Sequence, residues 1–435
     1  LETVDPNILI IEASVIIILS FFFGEVAKRT NVPSVLMLII LGILIKFGLD
    51  SIGFGNLDFF PILRILGIVG LIMIVLEAAL ELKLERDKYV SIGKALLVAA
   101  IGLIASTWAA AELLEYFIDD MTSQSAWLYA TPLSILSSAI IIPSVTGLKG
   151  YKREFHIYES TFSDILGIML FYFLTSQLPA AEVAGDSLEV VEHHASGWAY
   201  LGNILITIVA SLIASYAIVL IFQNLKSHVK LFLLIAVLLL LYGIGKYYHL
   251  SALIIILIFG LLIANMKLFF RGPLRKLLNY RKALEIYEGL HVVTVETAFV
   301  VRTFFFVIFG ITIVLQSLLS LDVAIVSLLI IASIYLIRFV ILRIFIGSDI
   351  LPQLFVAPRG LITVLLFYAI PTQVEVPGFE PGILLFIIIA TSLIMTFAMI
   401  ADKKRTTSVI RRVSSSPIGY ERWKAPSLAE TTEDK

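Results

Sequence analysis

Long apolar runs separated by short polar connections make up most of this chain. Their polar positions follow neither the two-residue alternation of a half-buried strand nor the broad polar face of a surface helix. About twenty apolar residues cross a hydrocarbon core. On that measure the pattern predicts about thirteen membrane helices, near 8–24, 33–48, 61–82, 91–117, 126–147, 154–178, 198–223, 229–247, 250–267, 286–314, 321–346, 349–371 and 382–402. The second is short, and only "GKYYHLS" separates the eighth from the ninth. The pattern divides the chain into a membrane domain, 1–402, and a polar, Ser/Thr-rich tail, 403–435, expected to lack fixed structure on the cytoplasmic side.

The connections give an independent check on the count, because basic residues are retained on the cytoplasmic side. Lys28 and Arg29, Lys83 with Arg86 and Lys88, Lys149 with Lys152 and Arg153, Lys226 and Lys230, and the run from Lys267 to Lys282 fall in every second connection. Asp119 and Asp120, "AEVAGDSLEVVEHH", Asp322, Glu375 and Glu380 fall in the others. The alternation fits an odd number of spans in a cell membrane, with the N-terminus outside and the C-terminus in the cytoplasm.

Composition sharpens the class. At 59% hydrophobic and 15% charged over 435 residues, with a mean hydropathy of +1.00, the chain has more apolar surface than a soluble fold can hide. The expected fold class is an all-α polytopic membrane protein whose partner is the lipid bilayer. A net charge of −1 gives no argument for nucleic acid, and the absence of cysteine excludes disulfides and thiol chemistry. No nucleophile–base pair or metal-ligand constellation points to an intramembrane enzyme, and no cofactor is called for.

Against this background the polar residues inside the spans stand out. Asp164, in "ESTFSDILGIMLFYF", lies about 15 Å deep if its helix starts near Glu154 and rises about 1.5 Å per residue. A carboxylate there costs about 2.5–3.5 kcal/mol on insertion scales. Ser160 is four residues earlier on the same face, and Glu159 with Ser163 forms a second such pair on an adjacent face. Glu77, in "LEAALEL", either supplies a second carboxylate or snorkels to the interface, and Glu81 reads as a helix-end acid. Arg338, in "LIRFVILRIFI", has a depth compatible with a buried pair to Glu159, a brace rather than a gate. Arg302, in "FVVRTFFF", is mid-span with no evident partner.

Two spans read as broken. The fifth, "AWLYATPLSILSSAIIIPSVTG", holds Pro132 and Pro143 around Ser137 and Ser138; the twelfth, "ILPQLFVAPRGLITVLLFYAIP", holds Pro352, Pro358, Arg359 and Gly360. Proline removes a helical donor and clashes with the preceding turn, and backbone freed at membrane depth is tolerated only in protein or beside a wet cavity. Spans 4–6 and 11–13 thus read as inverted copies whose broken helices cross near the midplane, the usual pointer to a secondary transporter's site. Arg359 falls at the crossing, where a fixed positive charge offsets helix carbonyl ends.

"ESTFSDILGIMLF" resembles the signature of the monovalent cation/proton antiporter superfamily, in particular its NhaP and sodium/proton exchanger branch. "LEAALEL", "LIIILIFGLLIAN", "LIRFVIL" and "PRGLITVLL" extend the resemblance over most of the membrane domain. It implies the NhaA/NhaP-like fold, a homodimer in which a core domain (about 91–178 and 321–402) moves against the remaining, dimerising helices. It implies further that Asp164 binds cation or proton, that Ser160 and Glu77 add oxygen ligands to a monovalent cation, and that Glu159 pairs with Arg338. Ser163 stands where the family has asparagine. The family's Thr-Asp-Pro acid is missing from both "YATPLS", with Thr131, and "LSSAII", with Ser137 and Ser138; the midplane depth favours the second stretch.

Sodium and potassium prefer oxygen ligands, and a carboxylate also binds a proton. If the empty, charged site cannot cross the membrane while either loaded form can, competition becomes exchange. The expected function is therefore alternating-access Na+/H+ antiport, electroneutral, with no cofactor beyond the transported ions. Potassium/proton exchange is the near alternative; a gated cation channel and a transport-inactive sensor are alternatives of another class.

Overall fold

The computed structural model describes residues 6–30, 34–51, 60–84, 88–178, 197–225, 230–247, 252–270, 278–312 and 320–415. Among them every regular element is helical, as a lipid solvent demands of a chain that must satisfy each backbone group internally. The first three helices are α1 (Pro6–Thr30), α2 (Ser34–Ser51) and α3 (Phe60–Glu81). After α4 (Tyr89–Phe117), the fifth span is split into α5 (Ser123–Ser134) and α6 (Ser138–Ser144). Then come α7 (Gly150–Ser176), α8 (Gly197–Phe222), α9 (Lys230–Tyr247), α10 (Ala252–Ala264), the single turn α11 (Met266–Phe269), α12 (Tyr280–Thr312) and α13 (Leu321–Phe345). The twelfth span consists of a 3-10 turn, Gln353–Phe355, an extended stretch and α14 (Leu361–Phe367), and α15 (Gly382–Ser415) closes the described chain.

The order matches the thirteen spans read from the apolar pattern, both broken ones included. Several boundaries differ: α1 runs to Thr30 rather than 24, and α12 starts at Tyr280 rather than 286. The last helix runs through Ser415 rather than stopping at 402, because no proline or glycine interrupts the chain before Pro417. Residues 416–435 of the expected tail lie outside the described residues.

The helices pack in two sets. In one, α4 lies against α5, α7 and α13, α13 against α15, α6 against α7 and α14 against α5. In the other, α12 lies against α2 and α3, and α10 against α3, α8 and α9. The α2–α12 seam is close enough to need glycine: a Cβ on Gly42 would strike the Val307 carbonyl, and one on Gly310 the Ile39 carbonyl. Small residues permit such backbone approach where lipid supplies no hydrophobic drive for association. The two sets meet at α3, which touches α7 and α14. Glu77 and Glu81 lie on this shared helix.

Candidate functional site

The site forms where the two broken spans cross. After Ser134 the backbone is extended through Ile135 (φ −72°, ψ 132°) and Ser137 (φ −96°, ψ 103°) before α6 begins. Neither proline is at this break: Pro132 lies inside α5 and Pro143 inside α6. The freed groups are satisfied across the crossing. Ser137 N–H donates to the Pro358 carbonyl at 3.0 Å, and Leu136 N–H to the Ser163 hydroxyl of α7 at 3.0 Å.

Arg359, only 1% exposed, serves the carbonyl end of α5. Its Nε donates to the Leu133 carbonyl at 2.9 Å, one terminal nitrogen to the Ser134 carbonyl at 3.2 Å, and the other to Ala357. The last carbonyls of a helix lack intrahelical donors and carry its negative dipole end, so a permanently charged guanidinium with several donors suits the position. The next residue must be small, since a Cβ on Gly360 would collide with Ser137 Oγ.

Asp164 projects from α7 into this crossing and is 2% exposed. Its Oδ2 accepts from Ser138 N–H, the first amide of α6, at 3.3 Å. Its Oδ1 is buried and has no hydrogen-bond partner among the described residues. A buried carboxylate left so is costly unless a proton or a cation joins it.

On the far side of Ser138 lies a cavity of about 50 Å³, larger than the roughly 10–15 Å³ that one water requires on the same measure. Glu77 and Glu81 of α3, Ser138 and Pro143 of α6, and Arg302 of α12 line it. Arg302, for which the sequence offered no partner, binds Glu77: one terminal nitrogen donates to both carboxylate oxygens at 2.9 and 3.3 Å, and the other reaches the Ala139 carbonyl at 3.4 Å. Glu77 thus lies within electrostatic range of Asp164 but carries its own counter-ion.

Glu159, five residues before Asp164, is also neutralised. Arg338 of α13 meets it with two terminal nitrogens at 2.7 and 3.0 Å. The same guanidinium donates to the Gln353 and Leu354 carbonyls at the start of the broken twelfth span. His156 Nδ1 stands 3.2 Å from Glu159 Oε2, the oxygen that also accepts from Arg338 at 3.0 Å.

Comparisons with known proteins bear on the family and the fold. A family profile described as "Sodium/hydrogen exchanger, transmembrane" matches residues 15–403. The chain belongs to the sodium/hydrogen exchanger family. Among solved structures, the exchanger is similar to the sodium proton antiporter MjNhaP1 from Methanocaldococcus jannaschii at pH 8, with TM-score 0.65 and 18% identity over 92% of this chain and 99% of that one. A three-dimensional electron-microscopy map of the same antiporter gives TM-score 0.63 and 17% identity over 94% and 98%. At these identities the likeness establishes the antiporter fold. No curated protein matched. The chain is therefore a multi-pass membrane protein of a transporter family whose substrates are cations and protons.

The other residues singled out in this exchanger's sequence are placed as follows. Ser160 Oγ donates to the His156 carbonyl at 2.7 Å and Ile157 at 3.3 Å, back-bonding to its own helix while its oxygen keeps a free lone pair. Thr131 is likewise back-bonded, to the Trp127 carbonyl at 2.7 Å, and is not among the residues lining the cavity. Ser137 takes part through its backbone and Ser163 as the acceptor for Leu136. Ser138 joins Asp164 to the cavity. Glu81, read from sequence as a helix-end acid, lines that cavity; its spacing of four from Glu77 was the available signal.

Proposed function

We propose that this protein is an alternating-access Na+/H+ antiporter in which Asp164 binds either a proton or the cation. The reading rests on one observation above all: among the described residues Asp164 has a buried oxygen with no hydrogen-bond partner, at a crossing of unwound helices where Glu77 and Glu159 each carry an arginine. Arginine does not release its proton in proteins, so Glu77 and Glu159 stay neutralised through the cycle, and the charge that changes is that of Asp164.

A hard cation takes the place of the proton by drawing on oxygen ligands: Asp164 first, then the Ser138 and Ser160 hydroxyls and carbonyls freed at the break, with Glu77 across the cavity. One carboxylate that exchanges one proton for one monovalent cation carries no net charge, so exchange is electroneutral. Alternation is the movement of the helix set containing α4, α5, α6, α7, α13, α14 and α15 against the set built on α3, α10 and α12. The latter set carries the contact between two copies in a homodimer, and the carboxyl ends of α3 and α6 face the cytoplasm.

The test is proton movement in proteoliposomes under an imposed pH gradient, with sodium, lithium or potassium added separately to wild type and Asp164→Asn. Sodium-driven dissipation that disappears in the variant is the expected result. A response to potassium alone would reassign the cation, and exchange retained in folded Asp164→Asn would remove Asp164 from the mechanism.

A further inference from the structure

The cavity beside Ser138 holds two carboxylates and one guanidinium. Glu77 and Glu81 are one turn apart on the same face of α3, and both line it together with Arg302. Arg302 is committed: its contacts go to Glu77 and the Ala139 carbonyl. Among the described residues Glu81 has no ion-pair partner, although both Glu77 and Arg302 are within electrostatic range of it. The cavity therefore runs from the Asp164-bound amide of Ser138, past a neutralised acid, to an acid with no ion pair near the carboxyl ends of α3 and α6.

We propose that Glu81 is the acid that draws cations into this cavity, governing cation affinity at the face of the membrane to which the cavity leads. The inference rests on the antiport reading above and adds to it a residue that touches neither the break nor Asp164. A carboxylate at the mouth of a narrow, low-dielectric cleft raises the local concentration of the oppositely charged substrate. Glu77 cannot do this while Arg302 cancels its charge. Replacing Glu81 thus changes how readily the cation arrives from one side and leaves the exchange chemistry at Asp164 alone.

Glu81→Gln keeps the size and polarity of the side chain and removes the charge. In inside-out and right-side-out vesicles assayed separately, the apparent sodium KM rises about 10-fold from the cavity side, the lower end of such steering effects. It stays at the wild-type value from the opposite side, and the rate at saturating sodium is retained. Glu81→Asp keeps the wild-type KM within about twofold. An unchanged KM on the cavity side, an equal rise on both sides, or a fall in saturating rate without a KM change overturns the proposal.

If wild type exchanges neither sodium nor protons, the antiport reading fails, and a second measurement still decides the role of Glu81. This is the sodium concentration giving half-maximal thermal stabilisation of purified protein. A higher value in Glu81→Gln upholds the assignment; an equal value, or no stabilisation of wild type by sodium, rejects it.

Discussion

Glu159 and Asp164 are on one helix, five residues apart and equally buried, yet their surroundings are opposite. Glu159 has a two-pronged arginine, a histidine on its flank and 1% exposure. Asp164 has only Ser138, through its amide at 3.3 Å and its side chain, and among the described residues its Oδ1 has no hydrogen-bond partner. Burial alone therefore does not make a carboxylate functional. An acid fixed to a guanidinium holds two helices together; an acid left without one has its charge available to a proton or an ion. Glu77 falls between the two, held by an arginine but facing a cavity.

The comparison is tested most severely by removing each charge in turn. Asp164→Asn is expected to abolish exchange while leaving thermal stability at or above that of wild type, since the variant loses an uncompensated buried charge; transport and unfolding measured on the same preparation check both halves. Glu159→Ala or Arg338→Ala is expected to do the reverse, costing about 3–5 kcal/mol by stranding the partner. A paired apolar replacement recovers part of that loss, and detergent unfolding curves for the three variants measure it.

Two smaller effects sharpen the picture of the crossing that presents Asp164. Gly360→Ala drives a methyl group into Ser137. It is expected to cost about 1–3 kcal/mol through overpacking and to reduce exchange by displacing the extended stretch. Ser163→Ala leaves the Leu136 amide without its acceptor. The expected cost is about 1 kcal/mol, the low end for a stranded buried donor, because hydrogen bonds inside membrane bundles average about 0.6 kcal/mol. Exchange should be slowed, not lost, in transport assays of this variant.

Much of this architecture was legible in the sequence because the bilayer imposes its rules on sequence directly. Apolar length gave the spans, and the prolines with Arg359–Gly360 marked the two broken ones. Proline marks where a helix is strained, not where it opens: the fifth span parts at Ile135–Ser137, between Pro132 and Pro143, where Pro358 and Ser163 supply substitute partners. Which helices are neighbours was less legible. Glu77 and Arg302 are 225 residues apart, and no local pattern puts α3 beside α12; that depends on close packing such as Gly70 of α3 against Val301 of α12. For the same reason Glu81 read as an interfacial acid, since the cavity wall opposite it belongs to α6 and α12.

The central claim is that proton and cation compete for one carboxylate, and calorimetry of sodium binding in buffers of different ionisation enthalpy tests it most directly. Wild-type protein, starting below the pH at which Asp164 is fully ionised, is predicted to release close to one proton for each sodium bound, and Asp164→Asn to release none. Sodium binding without proton release in wild type, or the same release from Asp164→Asn, would contradict the account.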